Sequence, residues 1–236
     1  MIEFSTLQHK LNSNQVIPLT FAGNKLLLDA SGAMVWPALD LLIFSDLHLE
    51  KGSFLSQFAN PLPRFDSKDT ILRMQAVMRE YKCSNIVSLG DSFHDGNAVN
   101  RMQLQDLEAL NALVKSVNSF TWVLGNHDPD VPSAVLGERE QHLKRQNVLL
   151  THEPEKLETT ACDAQIVGHF HPKSTQKLAT RKVTGKCYLA SHNIVLMPAF
   201  GSYTGGLCST DKAFESLLCQ KTMQTFLLFN KRIFLL

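Results

Sequence analysis

Five times along this chain a short apolar run stops on histidine, aspartate or asparagine. DLLIFSD leads into Asp46-Leu47-His48, NIVSLGD into Gly90-Asp91-Ser92-Phe93-His94, and FTWVLGN into Gly125-Asn126-His127-Asp128. VLLTH ends on His152, and QIVGH opens Gly168-His169-Phe170-His171. Short runs of this kind, bounded by Gly, Pro and polar clusters, read as strands. In open α/β sheets ligands gather beyond the carboxyl ends of strands, so a fold that aligns these ends collects all five motifs at one edge.

The segments between the motifs fit that frame. KLLLDA and AMVW, punctuated by Ser31-Gly32 and Pro37, read as strands joined by tight turns ahead of DLLIFSD. A polar loop with Asn60, Pro61 and Pro63 follows, and Asp66 or Ser67 is placed to cap a helix carrying Ile71, Met74, Met78 and Tyr81 at helical spacing. A second helix carries Leu104, Leu107, Leu110, Val114 and Val117. Strand, helix, strand, helix, strand is an α/β pattern.

Beyond residue 145 the runs NVLLTH, AQIVGH, KCYLAS, NIVLMP, QTFLLFN and RIFLL have few helical periods, so the second half reads as mainly β. Two sheets packed face to face with helices outside suit this order. Phe229-Asn230-Lys231-Arg232 reads as the turn of a final hairpin, the alternative being an apolar tail that pairs with another subunit.

A length of 236 residues fits a single domain over residues 1–236. The 23 Lys+Arg against 22 Asp+Glu leave the chain near neutral, without the whole-molecule basic footprint of a strong non-specific DNA binder. MIEFSTLQHKLNSNQ lacks the basic start and apolar run of a secretory signal. Five scattered cysteines (Cys83, Cys162, Cys187, Cys208, Cys219) form no C-x-x-C pair. Together these features predict a cytoplasmic protein with reduced thiols, most of them buried.

Asp46 and His48 are two residues apart, which on an extended segment puts both side chains on one face, within reach of one cation. Gly90 allows the sharp turn that projects Asp91 from the sheet edge, where it can bridge two ions. Gly125-Asn126-His127-Asp128 supplies an amide, an imidazole and a carboxylate in succession. With His152, His169 and His171, the motifs offer oxygen and nitrogen ligands for two hard or borderline divalent ions and require no thiol. His9, His142 and His192 stand outside every motif and read as ordinary histidines.

In this order, D-x-H, G-D-x-x-H, G-N-H-D, H and G-H-x-H resemble the signature of the calcineurin-like metallophosphoesterases over about residues 41–172. The resemblance implies an α/β fold, a four-layer double β-sandwich flanked by helices, with two metal ions at the sheet ends. Carried onto this chain, it assigns Asp46, His48, Asp91 and His171 to one ion and Asp91, Asn126, His152 and His169 to the other. It makes His127 the catalytic histidine and Asp128 the group that holds its ring. The ions it implies are divalent, Mn²⁺ foremost, with Fe²⁺ and Zn²⁺ compatible. A bridging hydroxide would attack the phosphodiester, with both ions stabilising the entering and leaving oxygens.

A narrower likeness joins SDLHLEKGS, GDSFH, GNHD, THEP, GHFHP and LMPAFGSYTGG to the PdeM subfamily, bacterial ligase-associated DNA damage response endonucleases, out to about residue 206. It implies a DNA substrate, single-stranded foremost, and a setting beside a DNA ligase and a DEXH-box helicase. His94 stands where many phosphatases of the class carry aspartate or asparagine. A histidine there resembles the DNA-repair nucleases and makes His94 a second catalytic candidate, the alternative being a partner that orients Asp91.

No acidic residue occurs over the 47 positions from 164 to 210, which hold Lys173, Lys177, Arg181, Lys182 and Lys186. That stretch predicts a positive surface beside the motifs, with Phe200 and Tyr203 as possible stacking surfaces for a base. Two other readings compete with the nuclease. One is a small-molecule phosphoesterase acting on cyclic nucleotides or nucleotide-linked substrates, and the other a metal-free scaffold.

Overall fold

The structure is a computed structural model that describes residues 2–58, 63–177, 181–219 and 221–236. The loop positions Asn60 and Pro61 lie outside the described residues.

The chain opens with α1 (Phe4–Asn12), then β1 (Val16–Phe21), β2 (Asn24–Asp29) and β3 (Met34–Trp36) in an antiparallel meander. β4 (Leu41–Ser45) pairs antiparallel to β3 and begins a parallel set. α2 (Lys51–Leu55) and α3 (Asp66–Tyr81) cross over to β5 (Asn85–Leu89), and α4 (Ala98–Arg101) and α5 (Leu104–Lys115) cross over to β6 (Ser119–Val123). β7 (Glu138–Glu140) completes a seven-stranded sheet whose spatial order is its sequence order.

The second sheet holds β8 (His142–Arg145), β9 (Val148–Thr151), β10 (Ala164–Val167), β11 (Lys173–Lys177), β12 (Lys182–Ala190), β13 (Ile194–Leu196), β14 (Gln224–Phe229) and β15 (Arg232–Leu235). Its order is β15-β14-β12-β13-β10-β9-β8, with β11 paired to β12.

Register decides where the motifs go. Ser45 pairs with Leu89 and Leu89 with Val123, so β4, β5 and β6 stop level with one another. Val167 pairs with Thr151 in the same parallel sense, which levels β10 with β9. The five motif-bearing strands therefore end at one edge of the double sheet.

Strand alternation builds the core in layers. From β4, Leu42 and Phe44 face outward with Ile86 of β5 and Phe120 and Trp122 of β6, and the helices bury their apolar faces there. From α3 come Ile71, Met74, Val77, Met78 and Tyr81; from α5 come Leu110, Leu113 and Val114. Leu41, Ile43, Val87, Leu89 and Val123 face inward and meet Val148, Leu150, Ile166, Tyr188, Val195 and Phe226 of the second sheet. Beyond that sheet, Val167, Leu189, Ile194 and Leu196 are covered by Phe214 and Leu218 from a 3₁₀ turn and loop rather than by a long helix.

Several local expectations need adjustment. The residue at the N-cap of α3 is Phe65, with no side-chain cap bond. Asp66 and Ser67 instead reach back to the chain after β4: the Gly52 N–H donates to Asp66 (2.9 Å), the Glu50 N–H to Ser67 Oγ (2.8 Å), and Ser67 donates to the Glu50 carboxylate (2.7 Å). Leu104 is 70% exposed and Val117 lies past the end of α5, so the buried stripe of that helix is shorter than its apolar spacing suggests.

α1 and β1 lacked a strong sequence signal. Buried Lys10 joins this region to the sheet, its Nζ lying 2.7 Å from both Asp29 and Glu80, while the Tyr81 hydroxyl also bonds Asp29.

The final hairpin forms as expected, with Phe229 paired to Arg232 and both Asn230 (φ 49°) and Lys231 (φ 57°) in the left-handed region a two-residue primed turn needs. Cys83, Cys162 and Cys187 are buried, whereas Cys208 and Cys219 are exposed. Among the described residues no helix is long and apolar enough to cross a membrane.

Candidate metal centre

Where the motif strands stop, the backbone turns left-handed. Asp46 (φ 51°), His48 (45°), Asp91 (45°), His169 (68°) and His171 (47°) all adopt a conformation that L-residues avoid at a cost of roughly 1–2 kcal/mol each. Asp46 and His48 are thus not on an extended segment; left-handed turns on either side of Leu47, rather than strand pleat, aim them at a common point. Strain of this kind persists where surrounding structure enforces it, and it clusters at functional sites.

Asp46, His48, Asp91 and His171 form one group whose ligand atoms all lie within 4.8 Å of one another. His171 Nε2 is 3.0 Å from Asp46 Oδ1 and 3.1 Å from His48 Nε2, and His48 Nε2 is 3.7 Å from Asp91 Oδ2. Around His152 Nε2 a second group converges: Asn126 Oδ1 at 3.0 Å, His169 Nδ1 at 3.3 Å and Asp91 Oδ1 at 3.4 Å. The two oxygens of Asp91 face different groups. Carboxylate, amide and imidazole donors without thiolate suit hard or borderline divalent cations, so the residues fit the ions expected from the motifs.

Electrostatics favour the ligand-competent forms of His48, Asp46 and Asp91, but not that of His152. Burial holds the His48 ring down to about 3, overriding Asp46 and Asp91, so the ring stays neutral as a ligand must. Burial alone would raise the Asp46 carboxyl, but its hydrogen bond to His171 and the neighbouring imidazoles bring it below its usual value. Asp91 likewise falls well below the carboxylate range despite burial, through His152 and the His127 N–H. At His152, burial is outweighed by Asp91 and Asp46, and the ring rises to about 9. Its proton must leave before the ring can ligate a cation.

The rim holds His127 and His94. His127 Nδ1 donates to the His94 carbonyl at 3.0 Å, leaving Nε2 free, and its N–H donates to Asp91 Oδ1 at 2.9 Å. The two rings stack, centroids 5.3 Å apart at 20°. His94 Nδ1 also lies 3.4 Å from His48 Nδ1, and burial with nearby Lys51 lowers the ring to about 4.

Asp128 does not bond the His127 ring. It accepts backbone N–H groups from Ser92 (2.8 Å), Phe93 (3.1 Å) and Gly125 (3.0 Å), fastening the loop after β5 to the loop after β6. Burial, with the Asp91 charge adding, pushes its carboxyl up to about 7.

Two glycines explain the closeness of the loops. A Cβ on Gly90 (φ 69°) would overlap the His152 ring, and one on Gly201 would overlap the Leu47 backbone. Gly201 belongs to the strip after β13, which docks through Phe200 N–H to Ser45 O and Gly201 N–H to Asp46 O.

Phe200 is fully buried, packed on Phe44 and beneath Arg73, so it is core and no stacking platform. Tyr203 donates to the Pro63 carbonyl. Lys186 donates to the Ala199 and Gly201 carbonyls, both at 2.7 Å, and Lys173 to Thr204 O at 3.4 Å. The two lysines of the basic stretch that reach this strip, from β11 and β12, thus support it, while Lys177, Arg181 and Lys182 are exposed farther along the β11–β12 hairpin.

His9, His142 and His192 are exposed and outside both groups. Sequence reasoning overlooked Phe54 and Phe58, whose rings extend outward from His94; their i, i+4 spacing directly after the first motif was the available signal.

A family model described as calcineurin-like phosphoesterase matches residues 39–173. Among solved structures, that of the Pseudomonas putida nuclease MPE is similar with a TM-score of 0.69 at 23% identity, covering 94% of this chain and 100% of the other. At that identity the likeness speaks to the fold alone. A protein of unknown function from Aquifex aeolicus (TM-score 0.40, 19% identity, 56% and 78% covered) and Yfce, a phosphoesterase from E. coli (0.38, 15%, 80% and 88%), are more distant. No curated protein matches.

Proposed function

Given that the chain belongs to the calcineurin-like phosphoesterases, we propose that it is a metal-dependent phosphodiesterase that cuts DNA. The observation that carries this reading is the position of Asp91, one carboxylate oxygen toward the Asp46–His48–His171 group and the other toward the Asn126–His152–His169 group. Those seven residues would hold two divalent ions, Mn²⁺ foremost.

Bound there, the ions would supply an activated water and neutralise charge on the phosphate oxygens. The chain's own residues do the rest. His127 offers Nε2 at the rim, its ring fixed by the Nδ1 donation to the His94 carbonyl, and in its doubly protonated form would donate from Nε2 to the departing oxygen. His94 sets the angle of that ring by stacking. Asp128 keeps the two loops in register.

A nucleic-acid substrate is favoured over a small diester by His94 at its motif position, and a nuclease is among the solved structures that share this fold. The likeness to the PdeM subfamily makes DNA repair in the cytoplasm, beside a ligase and a DEXH-box helicase, the corresponding setting.

The test is Mn²⁺-dependent cleavage of labelled single-stranded DNA run beside a chromogenic phosphodiester, with Asp91→Asn protein as control. Cleavage of both by wild type and of neither by the variant is the expected result. Hydrolysis of the small diester alone would remove the DNA reading and leave a nucleotide or nucleotide-linked metabolite as substrate. Full activity in Asp91→Asn would remove the metal centre itself.

A further inference from the structure

The centre does not end at His94. The His94 ring meets Phe54 edge to face at 4.8 Å and 77°, and Phe54 meets Phe58 at 5.2 Å and 57°. With the 5.3 Å stack of His94 on His127, four rings form a continuous row from the rim of the metal groups outward along α2 and the 3₁₀ turn after it.

Phe54 is half-buried and fixed from a second side by Arg101, whose guanidinium lies 5.9 Å from its centroid and is itself anchored by Asp95 and by Ser53 Oγ. Phe58, at the outer end, is 67% exposed. An aromatic ring left in water forgoes the gain of burial, and this one sits on a supported partner that leads straight to the reacting centre.

We propose that Phe58, backed by Phe54, is a stacking platform for an unpaired nucleobase flanking the scissile phosphodiester. This deepens the nuclease reading and rests on it. Aromatic faces bind bases without regard to sequence, because every base presents a π-face. In a duplex that face is occupied by neighbouring base pairs, so the platform selects single-stranded or locally opened strands near the cut. The row also explains how a near-neutral chain retains a polyanion: contact to bases supplements backbone charge. Phe200 and Tyr203, the aromatics singled out by sequence, are committed to packing and to the Pro63 carbonyl, which leaves this row to do that work.

The experiment compares wild type, Phe58→Ala, Phe58→Trp and a control, Phe4→Ala, which removes a still more exposed ring (79%) from α1, away from the site. Binding of a fluorescent single-stranded oligonucleotide is read by anisotropy in EDTA, and kcat/KM is measured with Mn²⁺ on the oligonucleotide and on the chromogenic diester, which has no flanking base. Phe58→Ala is expected to weaken binding by about 5- to 150-fold, the range for loss of one base–aromatic stack, and to lower the oligonucleotide-to-diester ratio of kcat/KM by a similar factor through KM. Phe58→Trp is expected to restore both, and Phe4→Ala to match wild type.

If wild type binds and cuts the oligonucleotide and Phe58→Ala does so equally well, the platform is wrong while the nuclease reading stands. If wild type cuts the diester but neither binds nor cuts the oligonucleotide, both fall. Should Phe58→Ala instead convert a dimer to a monomer in sedimentation with unchanged DNA binding, the ring covers a second copy and the platform is again refuted.

Discussion

Replacing Asp128 by alanine separates two roles for a residue that the family resemblance assigns to holding the His127 ring. Its carboxylate accepts three backbone N–H groups, two of them on fully enclosed residues, Ser92 and Phe93, and the third on Gly125. A buried donor left without an acceptor costs about 1–3 kcal/mol. Three such losses would exceed what is expected overall, because removing the carboxyl also relieves the burial that pushes it up to about 7. The balance is a destabilisation of roughly 3–5 kcal/mol, which for a chain of this size lowers Tm by roughly 6–20 °C. Asp128→Asn keeps one oxygen for Ser92 and Phe93 and turns its NH₂ toward Gly125, so it should lose only about 1–3 kcal/mol.

The measurement is thermal unfolding in EDTA, which keeps metal binding out of the comparison. Since folding raises this carboxyl above its usual value, its contribution is full below the unfolded value of 3.8 and fades as pH rises through about 7. The gap between wild type and Asp128→Ala should therefore be widest in mild acid and narrow above neutrality. A variant that melts within about 2 °C of wild type, yet loses kcat, would refute the backbone-clamp role and restore the ring-holding one.

Four further outcomes follow from the geometry. Gly90→Ala places a Cβ against the His152 ring at φ 69° and should cost about 1–3 kcal/mol, with bound Mn²⁺ falling from two per chain toward one by elemental analysis. His171→Ala and His152→Ala should each remove one equivalent, from different groups, whereas Asp91→Asn should weaken both. Lys186 is held down to about 7 by burial, Arg73 and Lys173 adding, so its contribution is present above 10.5 and lost as pH falls through 7; in chemical denaturation the advantage of wild type over Lys186→Met should grow by at most about 1.4 kcal/mol per pH unit from pH 7 to 9. Lys231→Gly should raise stability by about 1 kcal/mol in the same assay, because glycine tolerates the left-handed turn position that lysine occupies under strain.

What the sequence determined by itself was the order of strands and the identity of the polar side chains gathered where they end. Apolar runs ending in Asp46, Asp91, Asn126, His152 and His169 were legible because strand alternation and ligand chemistry are both local properties of a few consecutive residues. So was the closing hairpin, where Asn230-Lys231 interrupts two apolar runs.

The tertiary structure decided what those residues touch. Asp46 and His48 share a group through left-handed turns, not through strand pleat, and His169 and His171 part to different groups although only one residue separates them. Asp128 sits one position from His127 yet spends its oxygens on Ser92, Phe93 and Gly125. Phe200 disappears into the core and Phe58 stands out of it, a distinction that composition and spacing cannot draw, because burial depends on which distant segments fold over a ring. Backbone turns and long-range packing, both set by contacts far apart in the chain, turn a list of donors into two ligand groups sharing one carboxylate.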